Sequence, residues 1–267
     1  MKKILTLGAI LALSATAYST DMFPTEYTVR YTQNFGRIEG FTQIPQGGQA
    51  GTATENRPTY KELGIKNITY PDLFIGAKWN NFGMYYSMKY KSFKGSATLN
   101  EDLKTHNIQL RAGDKIESKH LLAFYNLGFS YDFKLDDKLT LTPKAEFSVM
   151  DFSYKFSASG SKTVNNDSRS FGAGTVRVGG EAKYQFNDDF AVRLNAMTHI
   201  PYDSIKSSLE TSLTGSYNLY RSGKTEVNVL GGVGYDMFKY RDTQKEMQNF
   251  MYSKVKPVYK LGLELKF

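Results

Sequence analysis

Three histidines, His106, His120 and His199, are the residues of this 267-residue chain with the widest chemical range. His120 follows Glu117 and Ser118, and His199 precedes Asp203 and Ser204. An imidazole to take a hydroxyl proton, a serine to attack and a carboxylate to orient the ring are the parts of a hydrolase site. His120, His199 and Asp203 are therefore the candidate catalytic residues. The plainer reading is that they are polar residues at the rim of a folded sheet, because the two histidines fall on different strands and a triad is defined by geometry. The plainer reading weighs against an enzyme.

Other chemistry is scarcer still. Asp136-Asp137 and Asp188-Asp189 are carboxylate pairs, but both sit where short turns are expected, and aspartate is favoured in turns for backbone reasons. No GxxxxGK[ST] loop follows a strand into a helix. The sequence implies no metal and no cofactor.

The elements that would position these residues are strands. In FGMYYSMKY, Phe82, Met84, Tyr86, Met88 and Tyr90 share one face, and Lys89 shares the other with glycine and serine. The same period of two recurs in LLAFYNLGFSYDF, LTLTPKAEFSV, TVRVGGEAKYQF, FAVRLNAM, SLETSLTGSYNLY and TEVNVLGGVGYDMF, in EYTVRYTQNF and LFIGAKWN near the front, and in the terminal KLGLELKF. Ten strands result. Their connections alternate between tight ones (Asn80-Asn81, 134–138, 187–189, 221–224) and long ones (37–72, 94–119, 157–172, 200–207, 241–251). Most strands reach the ~9–11 residues that a tilted strand needs to cross a bilayer.

The apolar faces are rich in aromatic residues, while the opposite faces carry Arg30, Lys78, Lys89, Lys144, Glu146, Arg177, Glu181, Lys183, Arg193, Glu210, Lys260 and Glu264. Lys91 and Lys256 have the same parity and join this set. In lipid a sheet must close to satisfy its edges. The expected fold is thus an all-β, closed antiparallel up-and-down transmembrane β-barrel of about ten strands, with eight or twelve as alternatives. An extra hairpin within 94–119 would give twelve. The apolar faces would meet lipid and the charged faces would form a lumen network. Tyr27, Trp79, Phe82, Phe133, Phe186, Phe190, Tyr217 and Phe267 at strand ends would form interfacial girdles.

The front of the chain fits export. MKK precedes the short apolar run ILTLGAILAL and an A-x-A pair at Ala15 and Ala17, the pattern of a cleaved signal peptide. The expected division is a signal peptide at 1–17 and a barrel at 18–267. The chain has no cysteine, so no disulfide framework is available. The formal charge is +8, with Lys and Arg spread along the chain beside acidic residues, which argues against a nucleic-acid partner.

The last eight residues, Lys260-Leu-Gly262-Leu-Glu-Leu265-Lys-Phe267, resemble the C-terminal signal of Gram-negative outer-membrane barrel proteins. The resemblance implies that Lys260, Gly262, Leu265 and Phe267 are read by the barrel-assembly machinery. It also implies an outer-membrane location, with outer-membrane lipids and lipopolysaccharide as neighbours. RPTYKELGI (57–65) with FKGSATLNEDLKTHNIQLRAGDKIES (93–118) is similar to a group of bacterial outer-membrane barrels with no established activity. The catalytic motifs of outer-membrane proteases and lipid A-modifying barrels do not align here.

A ten-stranded barrel lies nearer the filled eight-stranded end of the size range than the water-filled porins. The sequence therefore favours a non-enzymatic outer-membrane barrel with long surface loops and a structural, surface-interaction or narrow transport role. The alternatives are a small porin or channel with weak anion preference, and a lipid-modifying enzyme or hydrolase. Substrate and oligomeric state have no signature in the sequence.

Overall fold

The computed structural model describes residues 23–43, 58–105, 108–159, 165–201, 204–242 and 249–267. The expected signal peptide, His106 and Asp203 lie outside the described residues. Ten long strands carry the fold: β1 (Glu26–Gln43), β2 (Asn67–Trp79), β3 (Phe82–Thr98), β4 (Lys115–Tyr131), β5 (Leu139–Ser159), β6 (Asn165–Gln185), β7 (Phe190–His199), β8 (Ile205–Ser222), β9 (Thr225–Arg241) and β10 (Phe250–Lys266). A two-residue piece, Phe133–Lys134, prolongs β4 and pairs with β5. The described residues contain no helix.

Each strand is antiparallel to its neighbours in the chain, and β1 pairs with β10, so the sheet closes into a barrel. At this seam Val29 faces Leu265, and Tyr31 faces Leu263. Tyr27 and Phe267 exchange both backbone hydrogen bonds, at 2.7 and 3.0 Å, and stack their rings 5.5 Å apart. The hairpin that would have raised the count to twelve does exist, as Leu103–Thr105 against Ile108–Leu110, but it forms a separate two-stranded sheet.

The tight connections match expectation. Asn80 turns β2 into β3 with φ of 54°, a left-handed conformation that asparagine tolerates. Asp136 accepts backbone hydrogen bonds from Lys138 and Leu139, both at 2.7 Å, and these hold its carboxyl below the usual carboxylate range. The long connections differ from expectation. Much of 37–43, 94–98, 115–119, 157–159 and 165–172 is strand, and β5 and β6 run for 21 residues each. At ~3.3 Å per residue and a tilt of ~40°, such a strand rises about 50 Å, twice the ~25 Å apolar band of a membrane barrel. The extra length changes character along the strand.

On β5 the inward residues run from Lys144, Glu146 and Ser148 to Met150, Phe152, Tyr154 and Phe156. The outward ones run from Phe147 and Val149 to Asp151, Ser153 and Lys155. On β3 the inward change falls between Lys91 and Phe93, and the outward one between Tyr90 and Ser92. The barrel therefore has two storeys. The lower is apolar outside and charged inside, as a sheet in lipid requires. The upper is polar outside with an apolar core of Tyr70, Phe93, Leu122, Phe152, Tyr154, Phe238 and Met251, the order of a water-soluble barrel.

The segment 58–66 folds inward over this core. Tyr60 is fully buried, and its backbone N–H donates to Gly40 at 2.9 Å. Thr59 and Glu62 cap the turn reciprocally, through Thr59 N–H to Glu62 Oε2 at 2.7 Å and Glu62 N–H to Thr59 Oγ1 at 3.2 Å. Gly64 closes the turn with φ of 74°, where a Cβ would lie 2.2 Å from the Ser96 carbonyl oxygen, so only glycine fits. Burial raises the pKa of the Tyr60 phenol above its ordinary value.

Candidate functional site

The lower lumen holds most of the charged residues that alternation assigned inward. Period-two alternation aims one face of every strand at the barrel axis, so charges from separate strands converge there. Lys89 of β3 reaches Glu210 of β8 at 2.7 Å and Asp236 of β9 at 3.2 Å. Lys91 reaches Asp236 at 2.6 Å and lies near the rings of Tyr70 and Phe124 at 5.3 and 5.5 Å. Arg177 of β6 spans Glu146 at 2.7 Å and Glu210 at 3.2 Å, and Tyr85 donates to Glu146 at 3.0 Å. Lys260 stands 3.7 Å from Glu210.

A second group ties the seam to β7. Arg193 donates two hydrogen bonds of 2.6 Å to Glu264, and Arg30 Nε lies 3.1 Å from the same carboxylate. Lys144 pairs with Glu181 at 2.9 Å. Near the tight-turn end Lys78 pairs with Asp132, which also accepts from Thr142 at 2.8 Å. Lys183 lies opposite Arg193 across the β6–β7 pairing and makes no ion pair with a described residue.

Between these groups lies a cavity of about 120 Å³, lined by six cationic side chains (Arg30, Lys89, Lys144, Arg177, Arg193, Lys260) and four carboxylates (Asp72, Glu146, Glu181, Glu210). A water occupies ~30 Å³ of liquid, so this volume suits a few waters rather than a wide aqueous path. The network is a set of struts across the lumen. Breaking one partner of a buried pair strands the other charge, so each pair is a point of high sensitivity.

Lys256 is a correction. Simple alternation places it inward, yet it is half-exposed on the outside and pairs with Glu39 at 3.4 Å. Lys256 and Pro257 together oppose a single residue on each neighbour, Arg37 on β1 and Tyr235 on β9, and such a bulge reverses parity beyond it. Asp72, Asp132 and Asp236 are lumen carboxylates absent from the expected charge set. Asp236 sits between outward Tyr235 and Met237 and follows from alternation; Asp72 fell inside an assumed loop.

The histidines do not come together as a site. His120 of β4 is fully buried in the upper core, ringed by Phe93 at 4.9 Å, Tyr60 at 5.4 Å and Tyr154 at 4.4 Å. Neither of its ring nitrogens has a hydrogen-bond partner among the described residues. Glu117, which precedes it, faces outward and is exposed. His199 of β7 is buried elsewhere, its Nδ1 accepting the Ser208 backbone N–H at 2.9 Å. Among the described residues no group of three or more potential ligands is placed to hold a metal.

The terminal residues Lys260, Gly262, Leu265 and Phe267 all lie on the closing edge of the barrel. Lys260 and Gly262 face the lumen side, while Leu265 and Phe267 are exposed on the outer surface. Around the tight-turn end, Trp79–Phe82, Tyr131–Phe133, Tyr184–Phe186 and Phe186–Phe190 form ring contacts of 4.8 to 6.3 Å, an aromatic girdle in place.

A closed ten-stranded antiparallel barrel with an apolar, aromatic-rimmed belt and a charged lumen is the architecture of an outer-membrane β-barrel. No protein-family model matches the chain, and no curated protein matches its sequence. Solved structures that it resembles are Gram-negative outer-membrane barrels. The outer membrane protease OmpT from Escherichia coli aligns with a TM-score of 0.42 and 11% identity over 90% of this chain and 97% of that one. Ail, the attachment invasion locus protein of Yersinia pestis, gives 0.39 and 10% over 91% and 98%. The outer membrane protein OprG from Pseudomonas aeruginosa gives 0.32 and 12% over 91% and 95%. The class rests on the barrel itself, and no role of these proteins carries over.

Proposed function

We propose that this chain is a non-enzymatic outer-membrane barrel that acts through its outer surface, with a structural or surface-interaction role. In this reading it is exported by a signal peptide ending at Ala17 and inserted by the barrel-assembly machinery, which reads the strand ending at Phe267. Occlusion of the lumen carries the proposal. Lys91 is fully buried at the level where the charged lumen ends, and Tyr60 is fully buried in the segment that covers the apolar core above it. A path for solutes would have to cross both layers. The full burial of His120, with no hydrogen-bond partner among the described residues, supports a surface role over catalysis.

Planar-bilayer recording tests the reading: the folded protein is expected to give no discrete conductance steps across a range of voltages. Regular steps would overturn it in favour of a narrow channel. The observation on that side is the polar cavity, whose six cations against four carboxylates would give such a channel a weak anion preference. Lipid A profiles from cells with and without the protein test the lipid-modifying alternative, and they are expected to be identical.

A further inference from the structure

The outward face of the upper storey carries a row of like charges. Lys94 on β3 lies directly opposite Lys119 on β4, and Lys119 lies directly opposite Lys155 on β5. All three are exposed, and none makes an ion pair with a described residue. Opposed side chains on adjacent strands stand ~4.5–5.5 Å apart at Cβ, where like charges repel. Four basic residues on the other side of the barrel are arranged differently. Lys256 pairs with Glu39, Lys239 and Arg241 lie over the Phe250 ring, and Lys254 lies over Tyr235.

The row borders an open groove of about 950 Å³ that also presents the hydroxyls of Ser96 and Ser168, with Glu117 as its one acidic side chain. Its height narrows the ligand. Lys94 is four residues above Tyr90, the last aromatic of the outer belt on β3. That is ~13 Å along the strand and ~10 Å of height at a tilt of ~40°. The polar zone of a phospholipid leaflet is only ~5–8 Å deep. Anionic groups that meet this row without the lysines bending back toward the bilayer therefore stand on a headgroup taller than that of a glycerophospholipid.

We infer that Lys94, Lys119 and Lys155 form a binding site for the phosphorylated saccharide headgroup of an outer-leaflet glycolipid. Three adjacent ammonium groups suit a phosphate with further anionic groups on the same saccharide, and the serine hydroxyls donate to sugar or phosphate oxygens. The inference rests on the outer-membrane reading and gives its surface one defined partner class.

The test compares the folded full-length barrel in neutral detergent with Lys94→Gln/Lys119→Gln/Lys155→Gln. A control, Lys239→Gln/Lys254→Gln/Lys256→Gln, removes the partnered basic residues. Binding of purified lipopolysaccharide, phosphatidylglycerol and inorganic phosphate is measured by native mass spectrometry. The expected result is lipopolysaccharide binding that weakens at least about tenfold in the first variant, stays within about twofold in the control, and falls with added salt. Equal loss in both variants, no loss in either, or equal competition by phosphatidylglycerol or inorganic phosphate would overturn the site. If the triple variant fails to fold, Lys119→Gln alone replaces it, with a drop of about threefold or more expected and an unchanged affinity counting against the site. A wild-type barrel that inserts into no bilayer would sink the outer-membrane reading instead, which separates the two failures.

Discussion

Arg193 and Glu264 meet fork to fork, with both hydrogen bonds at 2.6 Å and the carboxylate side chain only 1% exposed. Glu264 also faces Arg30, so Glu264→Ala leaves two cations without their anion. Removing one partner of a buried pair costs ~3–5 kcal/mol, whereas replacing both by apolar groups is often neutral. Glu264→Ala is expected to lose about that much stability in urea unfolding followed by gel mobility, and Arg193→Met/Glu264→Leu is expected to regain most of it. A Glu264→Ala midpoint equal to wild type would show that the pair is solvated. His120 gives the opposite expectation. Its nitrogens lie among four aromatic rings with no partner among the described residues, and an unsatisfied buried polar group costs ~1–3 kcal/mol. His120→Phe should therefore fold as well as wild type or better, and a loss of folded yield would mean that the imidazole has a partner.

At the scale of the strand, the closing edge is set by shape as well as by apolar surface. A Cβ on Gly262 would lie 2.2 Å from the Tyr31 carbonyl oxygen and 2.7 Å from Thr32 Cγ2, across the β1–β10 seam. A Cβ on Gly231, on the outer face of β9, would meet nothing within 4 Å. Gly262→Val is expected to cut the heat-modifiable, folded fraction severalfold, and Gly231→Ala to leave it unchanged; equal yields would remove the steric role of Gly262. The strands themselves were legible because alternation is a local signal, and the inward positions of Arg193 and Glu264 follow from the same count. Alternation puts Lys256 on the wrong face because a bulge is a property of three strands in register, and one strand's alternation does not reveal it. The upper ends of β3 to β6 look like loops in the sequence for a related reason. Above the belt the apolar residues move to the inner face, so the outward face of 92–98 or 151–159 is polar and no longer looks like a lipid-facing strand. The inward fold of 58–66 depends on a core assembled from seven or more separate segments, which no short stretch encodes.

For the whole molecule, the reversal of polarity sets where the bilayer ends. Phe147 and Leu213 are 55% and 49% exposed on the outer surface of the lower storey, as large apolar residues are when lipid replaces water. Ser92 and Ser170 are exposed on the outer surface of the upper storey, beyond the point where the outward face turns polar. All four side chains are exposed on the outer surface, so exposure alone does not separate them, whereas the solvent around them does. The chain has no cysteine, so each can be marked singly without background. In vesicles carrying the folded barrel with its long connections outward, Ser92→Cys and Ser170→Cys are expected to react with a membrane-impermeant maleimide. Phe147→Cys and Leu213→Cys are expected to stay unlabelled until detergent or unfolding exposes them. If the bilayer instead covered the full height of the strands, all four would resist the reagent. If the barrel were water-soluble throughout, all four would react. Only a split between the level of Tyr86, which Phe147 shares, and that of Ser92, which Ser170 shares, agrees with a barrel that is built for lipid below and for water above.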